Sequence, residues 1–252
     1  MRIIAITGAT GGIAQEIIKR IPKDDYVIAL GRDLKKLKPH YGNRPNTACF
    51  ALDMSSDVAI AETVEKIYAI HGRIDIFINN AGYGGFSDFD TYTTAQIRDM
   101  FDVNTFATMT FSRLVGQKMK EAGKGHIINI ASIAGLIASA KSSVYSATKF
   151  AVIGFSNALR LELADSNVYV TTVNPGPIAT KFFDKADPSG DYLKSVGRFV
   201  LQPEYVAKRT VAIFGKNKRE LNMPWSLAAA HKAYTLFPRI ADFLARKVFN
   251  YK

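Results

Sequence analysis

The chain has 252 residues, 48% of them hydrophobic, with 33 Lys/Arg against 22 Asp/Glu for a net charge of +11. That is ample apolar material for one large domain and too much for a disordered chain. The single cysteine, Cys49, rules out an internal disulfide and a multi-cysteine metal site, and no apolar run reaches the length of a bilayer span.

In chain order, short β-branched runs alternate with longer amphipathic ones. Arg2–Thr7 reads as a strand, and Gly12–Arg20 as a helix stopped by Pro22. Only four apolar residues separate Met1 and Arg2 from Thr7 and Gly8. That is too few for a secretory leader, so a cytoplasmic protein is expected. Tyr26–Leu30 and Thr47–Leu52 read as strands, Ser56–His71 as a helix and Ile74–Ile78 as a strand. Thr94–Glu121 is a long predicted helix, His126–Ala131 a strand, Ser142–Leu163 a helix and Val168–Val173 a strand. The strands lack clean alternation, which suits strands covered on both faces. Repeated strand–helix order argues for a parallel sheet with right-handed crossovers.

The first strand runs into Thr7-Gly8-Ala9-Thr10-Gly11-Gly12-Ile13-Ala14 and then a helix. A glycine-rich turn there lets backbone approach a pyrophosphate, which the helix N-terminus attracts. Taken alone it is also an ordinary tight turn. Asn79-Asn80-Ala81-Gly82 follows the fourth strand. Further on, Tyr145 and Lys149 share one helix face at i and i+4. Ser132 lies 13 residues before Tyr145 at a strand end, and Asn104 lies in the preceding long helix.

In combination these residues resemble the short-chain dehydrogenase/reductase family. The shared features are its TGxxxGxG turn (with Ala14 for the last Gly), its NNAG motif and its Asn–Ser–Tyr–Lys tetrad. The resemblance runs from Met1 to about Thr180. It implies a single-domain Rossmann fold: a doubly wound parallel sheet of about seven strands with helices on both faces. Residues 1–180 would form the cofactor-binding and catalytic core, 181–219 the substrate lid and 220–252 a basic extension.

The reaction it implies is NADP(H)-dependent interconversion of a carbonyl compound and an alcohol. Tyr145 would be the general acid/base, its pKa lowered by Lys149 and by the nicotinamide charge. Lys149 would also hold the nicotinamide ribose, Ser132 the substrate oxygen, and Asn104 a water in a proton relay. Gly8, Thr10, Gly11, Gly12 and Ile13 would cradle the dinucleotide. Asp53 and Met54 would lie near adenine, with Asn80, Ala81 and Gly82 bordering the cofactor. Pro175, Gly176, Ile178 and Thr180 would pass the nicotinamide. Gly31 stands where NAD-preferring members carry Asp, and Arg32 follows, where a guanidinium can meet a 2′-phosphate. NADP(H) is therefore expected over NAD(H). The rival readings are a solvated Arg32 beside a capping Asp33, and an Asp53 that caps the next helix.

Residues 181–202 include Phe182, Phe183, Tyr192 and Phe199, which suggest an apolar substrate; aromatics that simply pack the lid would look the same. Many members of the family end in a strand and a Gly-Gly turn at a tetramer interface. Here Glu220–Met223 is a short strand, followed by two helices broken at Pro238. In the second, Ile240, Phe243, Leu244, Val248 and Tyr251 form an apolar stripe, with Arg239, Asp242, Arg246 and Lys247 largely off it. Residues 205–252 carry ten Lys/Arg and two acids, so +8 of the +11 lies there. Packing on the domain or on a second subunit is preferred to contact with an anionic membrane, and nucleic acid is not expected as a partner. A homodimer or homotetramer is expected. The alternative function, a non-catalytic dinucleotide sensor or membrane-associated scaffold, would be expected to lose Tyr145 or Lys149.

Overall fold

Seven parallel strands form one sheet in the order β3-β2-β1-β4-β5-β6-β7. They are β1 (Ile3–Ile6), β2 (Tyr26–Gly31), β3 (Thr47–Ala51), β4 (Ile76–Asn79), β5 (Gly125–Ile130), β6 (Val168–Pro175) and β7 (Glu220–Met223). The computed structural model describes residues 1–187, 190, 194 and 197–248, with backbone alone for 198 and 244–248. Tyr192 and Tyr251 lie outside the described residues.

Both sheet faces are covered, which explains why the strand sequences do not alternate between apolar and polar. Along β1 and β2, Ile4, Ile6, Val27 and Ala29 enter one core. Ile3, Ala5, Ile28 and Leu30 enter the other, as a period of two requires. The first core is closed by α1 (Gly12–Arg20), α2 (Leu34–Tyr41) and α8 (Pro203–Val211), and the second by α3 (Asp57–His71), α5 (Ala107–Glu121) and α6 (Ser143–Glu162).

Local signals set most helix ends. Ser56 caps α3 by accepting from Ala59 N at 3.2 Å, and Gly72 ends it with a left-handed φ of 73°. Asp53 is therefore not that cap; it accepts from Ser55 N at 2.9 Å in the preceding turn. Thr93 and Gln96 form a capping box at α4 (Thr94–Phe101). Helix α8, with Pro203 in its first turn, and the short helix over Phe182–Ala186 have no counterpart in the sequence reading. Helix α2 entered it only as a start capped by Asp33; it contains Pro39 but is held by the Asp33 cap on Lys35 N and by buried Leu37 and Tyr41. The Tyr41 hydroxyl donates to the Ala9 carbonyl at 2.5 Å, tying α2 to the glycine turn.

The long helix expected over Thr94–Glu121 has one interruption. Residues Asp102–Phe106 form a π turn between α4 and α5, centred on Asn104.

A buried polar network crosses the middle of the sheet. Asn79 and Asn129 face each other in register on β4 and β5. Asn79 Nδ2 donates to Asn129 Oδ1 at 2.8 Å and to Ser112 Oγ at 3.0 Å. Asn129 Nδ2 donates to Ser156 Oγ on α6 at 2.8 Å, and Ser156 donates to the Val152 carbonyl at 2.7 Å.

The chain continues into α7 (Phe182–Ala186) and ends in α9 (Trp225–Leu236) and α10 (Pro238–Val248). Among the described residues, no helix is long and apolar enough to cross a membrane.

Candidate active site

The strand order reverses between β1 and β4, and ligands of open parallel sheets bind outside the carboxyl ends of strands at such a point. A cleft lies there. It is lined by all the residues singled out from the sequence except Asn104: Gly8, Thr10, Gly11, Gly12, Ile13, Arg32, Asp53, Met54, Asn80, Ala81, Gly82, Ser132, Tyr145, Lys149, Pro175, Gly176, Ile178 and Thr180.

The turn after β1 is built for close approach. Gly8 has φ +64°, and a β-carbon on it would stand 2.8 Å from Ala81 Cα. A β-carbon on Gly12 would meet the Thr180 methyl at 3.0 Å. The Thr7 hydroxyl accepts from Asn80 N and Ala81 N, both at 2.9 Å, and Asn80 Nδ2 donates to the Thr7 carbonyl at 3.0 Å. So the first and fourth strand ends are laced together around a floor of bare backbone, which fits the pyrophosphate of a dinucleotide.

At one end of the cleft Arg32 is exposed, and Lys35, Lys36 and His40 of α2 line the same wall. These three side chains were not singled out from the sequence; their signal is a lysine-rich helix opening directly after Arg32-Asp33. The place a side chain on Gly31 would take is filled by Leu37, whose methyls would lie 3.3 Å and 3.4 Å from a β-carbon. The Asp33 cap and a cleft-lining Arg32 coexist. Asp53 is held below the usual carboxylate range by the Ser55 backbone hydrogen bond and hydroxyl, with Arg32 adding to the effect.

At the other end, β5 delivers Ser132 and α6 delivers Tyr145 and Lys149. Ser132 opens a 3-10 turn over Ile133–Gly135, accepting from Ala134 N at 3.1 Å and donating to the Pro175 carbonyl at 3.4 Å. Lys149 is buried; its Nζ donates to the Ile130 carbonyl at 3.1 Å and stands 5.8 Å from the Tyr145 ring centre. Asn104 sits behind Gly82. Its Oδ1 accepts from Tyr83 N at 2.9 Å, and its Nδ2 donates to the Tyr83 carbonyl at 2.8 Å and Thr148 Oγ1 at 3.1 Å. The π turn thus points Asn104 at the segment after β4 and at α6.

The electrostatics depart from the expectation that Lys149 lowers the phenol's pKa. In the protein alone, burial dominates and pushes Tyr145 up to about 12, with a hydrogen bond to Ser132 acting the other way. Burial also brings Lys149 down to about 8. The phenol is therefore protonated at neutral pH and the amine largely cationic.

Around Tyr145 the walls are aromatic. Its ring centre is 5.8 Å from Phe182 and 6.1 Å from Phe86, and Phe86 stacks on Phe183 at 5.9 Å. Phe199 also lines the cleft. So do Leu227 and Tyr234 of α9 and Asp242 of α10, which the sequence reading did not connect with the site.

A cleft of this kind at the switch point of a parallel sheet is that of a Rossmann-type dinucleotide-binding protein. The family model described as short chain dehydrogenase matches residues 2–190, and the chain belongs to the short-chain dehydrogenase/reductase family of nicotinamide-dinucleotide oxidoreductases. Retinol dehydrogenase 8 of Homo sapiens is 33% identical over 193 residues, which cover 73% of this chain and 61% of that protein. The chain thus spans about three-fifths of that relative's length. The 3-ketodihydrosphingosine reductase of Bacteroides thetaiotaomicron is 29% identical over 232 residues, covering 91% of this chain and 81% of its own. The closed form of serine dehydrogenase complexed with NADP+ is 33% identical with a TM-score of 0.80, covering 88% of this chain and 94% of that one. Structural neighbours hold either NADP or NAD+.

Proposed function

We propose that the protein is an NADP(H)-dependent reductase of apolar carbonyl compounds, with Tyr145 as the proton donor. The observation that carries this reading is the meeting of Ser132, Tyr145 and Lys149 at the aromatic end of a cleft whose other end is glycine backbone and cations. A nicotinamide dinucleotide bound along the floor supplies the hydride. The chain supplies the rest. Ser132 presents its hydroxyl to the carbonyl oxygen and fixes the substrate's orientation. Tyr145, kept protonated by burial, holds the proton that oxygen needs. Lys149, its Nζ 5.8 Å from the Tyr145 ring centre, would hold the nicotinamide ribose hydroxyls. Asn104 acts as a positioning residue: it pins Tyr83 and Thr148, and so the segment after β4 to the helix bearing Tyr145.

NADP(H) is favoured over NAD(H) by the four side chains Arg32, Lys35, Lys36 and His40 along the cleft wall and by Leu37 filling the space beside Gly31. An apolar substrate is favoured by Phe86, Phe182 and Phe183 around Tyr145. Two relatives are named for retinol and for 3-ketodihydrosphingosine, and we take the substrate to be a long apolar ketone or aldehyde of that general kind. The test is a panel of such carbonyl compounds, followed by loss of NADPH absorbance, with Tyr145→Phe as control. Turnover in the wild type that survives unchanged in the control would overturn the reading.

A further inference from the structure

The C-terminal helix α9 has two opposite faces. Leu227 packs on the Ala131, Ile133 and Leu136 cluster. His231 Nδ1 donates to the Leu136 carbonyl at 3.1 Å, and Tyr234 lines the cleft. Steps of four, three and four residues place Trp225, Ala229, Lys232 and Leu236 together on the other side. All four are exposed. Trp225 is 81% exposed and Leu236 71%, and just past the helix end Phe237 is 59% and Ile240 60% exposed. Monomer surfaces rarely gather large apolar side chains in this way without a partner.

Charge decides what that partner is. Exposed Lys232 and Arg239 sit in and beside the patch. Two copies meeting through this face would set Lys232 and Arg239 of one against those of the other, which like-charge repulsion disfavours. An anionic bilayer satisfies both features. Its headgroups attract the cations, and its acyl boundary takes the apolar side chains, with Trp225 suited to the interface.

We infer that the outer face of α9 and the start of α10 docks on an anionic lipid surface, a role that goes beyond the reductase reading and stands without it. Because the inner face of α9 lines the cleft, docking sets that wall one helix diameter, about 10 Å, from the headgroups.

Flotation of the full chain with vesicles tests this without any turnover assay. The chain should float with vesicles of equal parts phosphatidylglycerol and phosphatidylcholine, and remain in the dense fraction with phosphatidylcholine alone. Trp225→Ala and Leu236→Ala should each weaken binding about tenfold. Lys232→Ala and Arg239→Ala should each weaken it about fivefold. NADPH binding and melting temperature should match wild type in all four. Failure to float with the anionic vesicles, or flotation equal in wild type and variants, overturns the inference. So does a concentration-dependent dimer that Trp225→Ala dissolves in the absence of flotation; that result would assign the face to a second copy.

Discussion

Gly135 touches helix α6 backbone to backbone: a β-carbon on it would stand 2.7 Å from both the carbonyl carbon and oxygen of Lys149. Real β-carbons do not approach backbone that closely, so the 3-10 turn that starts at Ser132 rests on α6 because position 135 has no side chain. Gly135→Ala should push the turn outward, moving Ser132 away from Tyr145. The expected cost is about 1–3 kcal/mol of stability, as for overpacking. It should appear as a lower urea midpoint, together with a fall in kcat larger than the change in KM for NADPH.

Tyr145→Phe keeps the ring among Phe86 and Phe182 and removes only the hydroxyl. Cofactor affinity, read by NADPH fluorescence, should be within a few-fold of wild type. Turnover should fall by roughly 10²-fold or more, the range for loss of a general acid.

Removal of Arg32 separates the two cofactors. Arg32→Ala should raise KM for NADPH about 10- to 100-fold, the loss of one or two charge-assisted hydrogen bonds. KM for NADH should stay nearly constant. Lys36→Ala should act in the same direction and more weakly. Equal effects on both cofactors would place Arg32 elsewhere than at the 2′-phosphate.

His126 predicts an acid limb in stability. The ring is buried; Nδ1 accepts from Gly215 N at 3.1 Å, so Nε2 carries the hydrogen and donates to Thr171 Oγ1 at 2.8 Å. Burial brings its pKa down to about 4 from 6.5. Between those values the unfolded chain binds the proton and the folded one does not, so stability falls as pH falls through that window. The full loss is about 3 kcal/mol. Urea unfolding across pH 4–7 should show this slope in wild type and a flatter one in His126→Gln.

The glycine turn and the meeting of Ser132, Tyr145 and Lys149 in one cleft were legible because they rest on particular residue types at fixed spacings. Tyr145 and Lys149 share a face by helix geometry alone, and Gly8 stands where only a glycine relaxes. What was not legible depends on tertiary contact. α2 has poor local propensity, with Pro39 inside it, and forms because Leu37 and Tyr41 find a core. Its cations then reach the cleft together. The capping role weighed for Asp53 belongs to Ser56, which stands at the helix boundary and reaches Ala59 N. Burial of the Tyr145 hydroxyl, and with it the rise in pKa, depends on α7 and Phe86 folding over it. The wall made by α9 depends on the chain returning about ninety residues later to meet Leu136.

The paired amides of Asn79 and Asn129 act as a ruler for the whole molecule. A parallel sheet of Ile, Val and Ala would tolerate β4 sliding past β5 by two residues, since each face would stay apolar. With the asparagines in place, that slide separates Asn79 Nδ2 from Asn129 Oδ1 inside the core, at roughly 1–3 kcal/mol for each group left unpaired. The network therefore acts mainly against misregistered folds. Since its last link is Ser156 on α6, the same penalty fixes how far along the sheet Tyr145 and Lys149 come to rest.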